Sequence, residues 1–309
     1  MGILQGRDVL SLADLSSAEV QQVLDWAIEM KKGSLAPRFE GKIPTLGLLF
    51  SKASTRTRVS FSTAMFQLGG QVLDLNVNQM QVGRGEPLED TARVLDRYLD
   101  VLAIRTFDQA DLETFAKYAD MPIINALTDL EHPCQVLADL QTVQEQFGTC
   151  AGLTFTYVGD GNNMAHSILI GCALIGMNVR IAAPIGYLPD PKIVEQAKAI
   201  AAGKSDVIVT QDPYAAVEGA QVVYTDVWAS MGQEGEADER VPIFMPYQVN
   251  SDLMNSADKD AIVLHCLPAH RGEEISADVM EGSQSRIWDQ AENRMHAQKA
   301  LLAGVLGLI

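Results

Sequence analysis

Leu48-Leu49-Phe50-Ser51-Lys52-Ala53-Ser54-Thr55-Arg56-Thr57-Arg58 is the stretch on which the reading of this chain turns. The apolar run from Leu46 to Phe50 predicts a buried strand, and Phe61, Ala64, Met65 and Leu68 then recur at the i, i+3, i+4, i+7 spacing of a helix face. Ser54-Thr55-Arg56-Thr57 therefore falls where a strand ends and a helix begins. Unpaired backbone N–H groups and the positive end of the helix dipole meet there, so amides, hydroxyls and a guanidinium can hold a phosphate together. The same residues also make an ordinary capped helix with a solvated arginine, since Ser and Thr are favoured caps for structural reasons alone. The stretch by itself leaves both readings open.

Working outward, residues 11–32 predict a helix capped at Ser16 or Ser17, with Val20, Val23, Leu24, Ala27 and Ile28 as its stripe. Beyond Gly69-Gly70 come a short strand at Val72 to Leu75, a loop containing Gln81, a helix over 89–99, and a strand Val101 to Ile104 with Arg105 at its end. A helix (111–119), a strand (Ile123 to Ala126) and the loop Thr128 to Pro133 follow. Pro133 suits a first helical turn, and Val136, Leu137, Leu140, Val143 and Phe147 continue that helix to Gly148. Strand and helix then alternate afresh from Leu153, through Gly159-Asp160-Gly161 and a helix from Asn162 to Ile175, to strands at Val179, Asp206, Gln221 and Ala261. Alternation of this kind means parallel βαβ units.

The expectation is an α/β protein of two domains, each a parallel-sheet βαβ sandwich. Residues 1–148 form the first domain, 149–289 the second, and a closing helix at about 290–309 packs back on the first. Between Ser230 and Pro246 a polar loop, too long for a simple connection, reads as a lid. Ligands of open parallel sheets bind beyond the carboxyl ends of the strands. Arg56, Arg105, His132, Asn163, Asp226 and Cys266 all follow strands, drawn from both halves, so one cleft between the domains is expected to collect them.

Composition bounds the possibilities. The 309 residues are 47% hydrophobic and 20% charged, a globular balance with room for two cores. A net charge of −17 argues against nucleic acid or an anionic membrane as partner, though not against one locally held phosphate. Cys134, Cys150, Cys172 and Cys266 form no C-x-x-C pair, which points away from a disulfide framework and towards a reduced cytoplasm. Met1 to Leu15 lacks a signal-peptide pattern, and the apolar run Ala300 to Ile309 is too short to span a membrane.

Gly159-x-Gly161 between a strand and a helix invites a dinucleotide reading. Met164 stands where a third small residue belongs, however, and the next strand ends Ala182-Ala183-Pro184 without a ribose-binding acid. His265 and His270 flank Pro268, which spoils helical ligand spacing for zinc. Neither a metal nor an organic cofactor is expected. Cys266 is a possible nucleophile, with a plain buried cysteine as the alternative.

Ser54-Thr55-Arg56-Thr57-Arg58 resembles the carbamoyl-phosphate motif of the aspartate and ornithine carbamoyltransferase family, and the rest of the chain agrees, with its ornithine branch in particular. Ile104-Arg105-Thr106, His132-Pro133-Cys134-Gln135, Val158-Gly159-Asp160-Gly161-Asn162-Asn163, Asp226-Val227-Trp228-Ala229-Ser230-Met231-Gly232, His265-Cys266-Leu267-Pro268 and Gln290-Ala291-Glu292-Asn293-Arg294 are each similar to a family segment. The aspartate branch has His-Pro-Leu-Pro where this chain has His265-Cys266-Leu267-Pro268.

The resemblance implies transfer of a one-carbon group, carbamoyl phosphate plus L-ornithine giving L-citrulline plus phosphate. Ser54, Thr55, Arg56, Thr57 and Arg105 are then expected on the phosphate. Thr57, Arg105 and His132 would face the carbonyl oxygen, and Gln135 with the backbone of Cys266 and Leu267 the carbamoyl NH2. Arg294 is a further family contact. Asp226 is expected on the α-ammonium of ornithine, and Asn163 with the Ser230-Met231 backbone on its carboxylate. Either Cys266 or the departing phosphate takes the amine proton. Gln81 would come from a neighbouring subunit, implying a homotrimer or a multiple of trimers. Arg58 is expected to pair with a carboxylate, and His166 and His296 to pack or lie at the surface. The competing acceptors are aspartate, which calls for cations where Asp226 stands, and putrescine or N-acetylornithine, neither of which suits Asp226.

Overall fold

In the computed structural model, which describes residues 2–77, 80–82, 85–229 and 234–309, β1 (Thr45–Phe50) is buried at every position and leads into α2 (Thr55–Gln67). The chain folds as two units, Met1–Gln141 with Glu292–Ile309, and Thr142–Ala291.

In the first unit a short 3-10 turn at Leu12–Asp14, capped by Ser11, precedes α1 (Ser17–Lys32). The helix expected over 11–32 is thus two pieces. Ser16 caps α1 in a capping box with Glu19, and an N-cap needs extended backbone, which breaks the helix ahead of it. β2 (Gln71–Asn76), α3 (Leu88–Leu95), β3 (Val101–Arg105), α4 (Gln109–Tyr118) and β4 (Ile123–Leu127) follow, then α5 (Pro133–Phe147), which runs on past Gln141. The sheet order is β2-β1-β3-β4, all parallel. Arg58 pairs with Asp74 and lies 5.2 Å from the Phe50 ring, the carboxylate partner expected of it.

The second unit contains β5 (Thr154–Val158), α6 (Asn163–Ile175), β6 (Asn178–Ala182), α7 (Pro191–Ala201), β7 (Val207–Thr210), α8 (Pro213–Val217) and β8 (Val222–Thr225). After them come α9 (Ala237–Phe244), α10 (Ser251–Met254), β9 (Ile262–His265), α11 (Ala277–Met280) and the start of α12 (Ile287–Val305), whose later turns belong to the first unit. This sheet runs β7-β6-β5-β8-β9, also parallel. The stretch expected as a polar loop up to Pro246 is largely helical in its described part. Arg240 and Phe244, one turn apart, are both buried, and that shared face holds α9 in place despite Pro242 inside it.

Each sheet reverses direction once. β1 is followed by β2 on one side and flanked by β3 on the other; β5 is followed by β6 on one side and flanked by β8 on the other. Such switch points leave a crevice at the strands' carboxyl ends. Phe50 pairs with Arg105 and Val158 with Thr225, so the loops after β1 and β3, and those after β5 and β8, are neighbours.

Candidate active site

In the first unit the crevice is lined by the residues that open α2. Ser54 is its N-cap and accepts the Thr57 N–H at 3.3 Å, while Thr55 and Arg56 are exposed on the first turn. The donors of this turn and the dipole make it receptive to an anion. Thr57, 1% exposed, turns inward, and its hydroxyl accepts from Arg294 Nη2 on α12 at 2.7 Å. Arg105 ends β3 and is buried, with its carbonyl accepting from Ser51 N–H at 2.8 Å, which fixes it against the loop after β1.

His132 precedes α5 in a turn that Thr128 ties down. The Thr128 hydroxyl accepts the N–H groups of Leu130 and Glu131, and buried Glu131 in turn receives Ser11 Oγ and the Leu12 N–H. Burial holds the His132 imidazole well below its usual pKa, and the charges of Arg294, Arg105 and Arg56 push the same way. At neutral pH it is therefore a neutral ring able to donate a single N–H.

Gln135, wholly buried one turn further on, donates from Nε2 to Asp139 Oδ1 at 3.0 Å. That bond sets the amide orientation, and Oε1 is left without a hydrogen-bond partner among the described residues. A buried carbonyl oxygen with no partner is costly and marks a place where a donor is wanted. Around this turn the first unit thus combines cations and a neutral donor with a bare acceptor at Gln135. Gln81 is exposed on the loop after β2, its carbonyl accepting from Glu86 N–H at 3.2 Å.

In the second unit Asp226 follows β8 and is buried. Its Oδ1 receives the Cys266 thiol at 2.8 Å and the Val227 N–H at 2.8 Å, and its Oδ2 receives Asn162 Nδ2 at 3.1 Å. Asn162 also caps α6 by accepting from Met164 and Ala165, and Asn163 is the first residue of that helix. Gly161 between Asp160 and Asn162 is required by space, since a Cβ there would lie 2.2 Å from Pro189 N and 2.4 Å from Leu188 C.

Beyond β9, Leu267 adopts a left-handed φ of 62° ahead of a cis Leu267–Pro268 bond, and its N–H is held by His265 Nδ1 at 2.8 Å. With Nδ1 accepting there, the other ring nitrogen faces Glu274 at 3.1 Å as the donor. Asp226, His265 and Cys266 have ligand-type atoms within 4.8 Å of one another, but both His265 nitrogens are already committed. Ser230 and Met231 lie outside the described residues.

Burial pushes the thiols of Cys134 and Cys150 up to about 12, which makes them inert packing groups. His166 and His296 are buried too, and His166 Nε2 accepts the Asp190 N–H at 3.0 Å. Sequence reasoning missed Asn162, overshadowed by the neighbouring Asn163, although an Asn directly ahead of an apolar helical run is itself a cap signal. It also missed Glu131, Lys52 and Arg240, whose roles rest on partners distant in sequence.

Residues 7–145 match the family profile described as the carbamoyl-P binding domain of aspartate/ornithine carbamoyltransferase, and residues 151–305 match its Asp/Orn binding domain. A protein of Nostoc punctiforme named ornithine carbamoyltransferase is 68% identical over 99% of both chains. The crystal structure of ornithine carbamoyltransferase from Gloeobacter violaceus is 54% identical, covering 97% of this chain and 98% of that one with a TM-score of 0.89. The ornithine carbamoyltransferase structure from Pyrococcus furiosus is 50% identical over 100% and 99% of the two chains, with a TM-score of 0.94.

Proposed function

The chain belongs to the aspartate/ornithine carbamoyltransferase family, and from that premise we propose the reaction its side chains serve: carbamoyl phosphate plus L-ornithine gives L-citrulline and phosphate. The observation that carries this reading is the polarity of the first unit's crevice. Carbamoyl phosphate has an anionic end, a carbonyl oxygen that accepts and an NH2 that donates. Buried Arg105 and Arg294 with neutral His132 offer donors, and Gln135 Oε1, one turn beyond His132, offers a bare acceptor.

The phosphate rests on the first turn of α2, on Ser54, Thr55, Arg56 and Thr57, with Arg105 supplying further charge. Thr57, Arg105 and His132 donate to the carbonyl oxygen, where negative charge grows as the amine attacks. Gln135 Oε1 and the carbonyls of Cys266 and Leu267 accept from the NH2, and Arg294, locked to Thr57, completes the set. Positioning of two small, fully held substrates supplies much of the rate.

Asp226 receives the α-ammonium of ornithine. The Asn163 amide and the backbone at Ser230 and Met231 receive its carboxylate. The side-chain amine must lose a proton to expose its lone pair. The Cys266 thiol donates to Asp226, so it orients the amine. That first proton passes to solvent, and the departing phosphate takes the second, shed by the attacking nitrogen as the C–N bond forms and the C–O bond to phosphate breaks. An acceptor acetylated at its α-nitrogen leaves buried Asp226 without a cation, a loss of about 1–3 kcal/mol, whereas putrescine keeps an ammonium for Asp226 but has no carboxylate for the Asn163 side.

Three copies assemble around this reaction, each lending Gln81 to a neighbour. The exposed edge strand β2 with Leu73, beside Val59 and Phe66 exposed on α2, supports such self-association. Four buried cysteines outside any disulfide suit a reducing cytoplasm, and citrulline as product suits a place in arginine metabolism. Among the described residues no helix is long and apolar enough to cross a membrane.

A colour assay for citrulline-type ureido products, with ornithine, N-acetylornithine, putrescine and aspartate offered in turn beside carbamoyl phosphate, tests the reading. Turnover with ornithine at least a hundredfold above the other three is expected. A preference for any other acceptor overturns it.

A further inference from the structure

The segment from Glu234 to Phe244 carries four carboxylates, Glu234, Glu236, Asp238 and Glu239, and a single cation, Arg240. Such a cation would be expected in water, but Arg240 is 6% exposed. Burying a guanidinium is costly unless its donors are used, and four of the five N–H donors of Arg240 are engaged. Nη1 donates to Asp160 Oδ2 at 2.9 Å and to the Trp228 carbonyl at 2.8 Å, while Nε and Nη2 reach Glu236 Oε2 at 3.1 and 3.0 Å. The guanidinium also lies 5.0 Å from the Tyr187 ring, which meets Phe244 edge-on at 4.8 Å, and Phe244 stacks on Trp228 at 5.9 Å.

These contacts close a ring. Asp226 is held by Asn162; Asn162 is two residues from Asp160; Asp160 is held by Arg240; and Arg240 grips the carbonyl of Trp228, two residues beyond Asp226. With Arg240 removed, the ends of β5 and β8 keep the Asn162–Asp226 bond and the Thr225 Oγ1–Val158 carbonyl bond, but Asp160 is left buried with no counter-ion at its Oδ2. Because both Nη1 hydrogens, the Nε hydrogen and one on Nη2 are engaged inside the protein, the ties of Arg240 run to Asp160, Trp228 and Glu236, and through them to Asp226.

We propose that Arg240 is the positioning residue for Asp226, acting through Asp160 and Trp228, and that it sets affinity for the amino-acid substrate without touching it. This rests on the ornithine reading. The guanidinium is a fixed post that ties Trp228, two residues beyond Asp226, to Asp160 and to Glu236.

The test compares Arg240→Met, Arg240→Lys, Asp160→Asn and the double variant Arg240→Met/Asp160→Asn, with folding checked by circular dichroism. Wild-type turnover of ornithine is measured first; if there is none, the ornithine reading and this proposal fall together. Arg240→Met is expected to raise KM for ornithine at least tenfold, to change kcat less than KM, and to leave the Kd for inorganic phosphate within twofold. Arg240→Lys, which keeps a cation beside Asp160 but loses the planar fork, should recover part of the loss. Asp160→Asn alone is expected to raise KM at least threefold, and the double variant to be no worse than Arg240→Met. An ornithine KM within twofold of wild type in folded Arg240→Met, or a phosphate Kd weakened as much as the ornithine KM, overturns the proposal with the ornithine reading intact. If Arg240→Met does not fold, Asp160→Asn decides by the same two measures, with its threefold threshold.

Discussion

The two crevices are built on the same plan, a switch point in a parallel sheet, yet they are held in different ways. In the first unit each working side chain has its own anchor. Thr57 takes Arg294, Gln135 takes Asp139, the His132 turn is tied by Thr128 and Glu131, and Arg105 is fixed through its backbone to Ser51. In the second, Asp226 depends on a closed ring through Asn162, Asp160, Arg240 and Trp228. The difference teaches that a site for a compact anion can be assembled from independent parts. A site for a flexible amino acid, framed by a long connection, needs one post that the rest share.

The largest effect that sharpens this comparison is expected at Arg105. In the proposed reaction Arg105→Ala removes a charged donor from the developing oxyanion, which costs about 10²–10³-fold in kcat where such a donor is preorganised. Independent anchoring predicts that the damage stays local, with ornithine KM within threefold and the melting temperature nearly unchanged. Steady-state kinetics in both substrates checks it. A loss seen mainly in ornithine KM breaks the separation between the two crevices.

How much of this could be read in advance follows the same divide. Ser54 to Arg58 and His132 to Gln135 are contiguous, with strand, cap and helix periodicity in register, so their placement at the start of a helix was legible from order alone. The strand orders were not, because alternation says that β1, β2 and β3 are parallel but not that β1 lies between the other two. Asn162 was hidden by its neighbour, since both asparagines fit a helix start and only the bonds to Asp226 and Met164 separate their roles. Arg240 could not be read at all. Its place among four carboxylates suggested a solvated polar loop, and its partner Asp160 lies 80 positions away. The early break of α1, by contrast, was within reach, since Ser16 and Glu19 spell a capping box.

A second prediction sets the crevices against each other by pH. His132 has a folded pKa well below its unfolded one, so as pH falls below about 6.5 the unfolded chain takes up a proton that the folded first unit refuses. Stability is lost there by up to about 1.4 kcal/mol per pH unit. Asp160 has the opposite sign. Burial, against the pull of Arg240 and with Asp226 and Glu236 adding to it, raises its carboxyl to about 6 from 3.8, so the folded second unit gains the proton first and is favoured as pH falls from 6 towards 4. Hydrogen exchange at pH 7 and pH 5.5 should show protection falling in the first unit more than in the second. His132→Asn should reduce the first-unit loss, and Asp160→Asn should increase the loss in the second. Equal responses in both units and both variants would sink this account.

The smallest effect expected is at Lys52, and it bears most directly on whether the first crevice is anchored redundantly. Lys52 is 8% exposed; its Nζ donates to Asp129 Oδ1 at 2.6 Å and sits 3.9 Å from the Phe107 ring centre. One ammonium thus links the loops after β1, β3 and β4, as Arg240 links loops in the second unit. The Asp129 side chain is 62% exposed, however, so water screens the pair and its worth is about 1 kcal/mol or less, with a similar amount from the ring. The neighbouring anchors at Ser51, Thr57 and Thr128 stay in place when it goes. Lys52→Met, which keeps the apolar stem, is therefore expected to raise the KM for carbamoyl phosphate about two- to fivefold, the size set by about 0.4–1 kcal/mol, and to leave ornithine KM unchanged. Steady-state kinetics beside Arg240→Met gives the comparison its sharpest form. If Lys52→Met costs tenfold or more, the first crevice also hangs on a single post, and the contrast between the two units lies only in the sign of their charge.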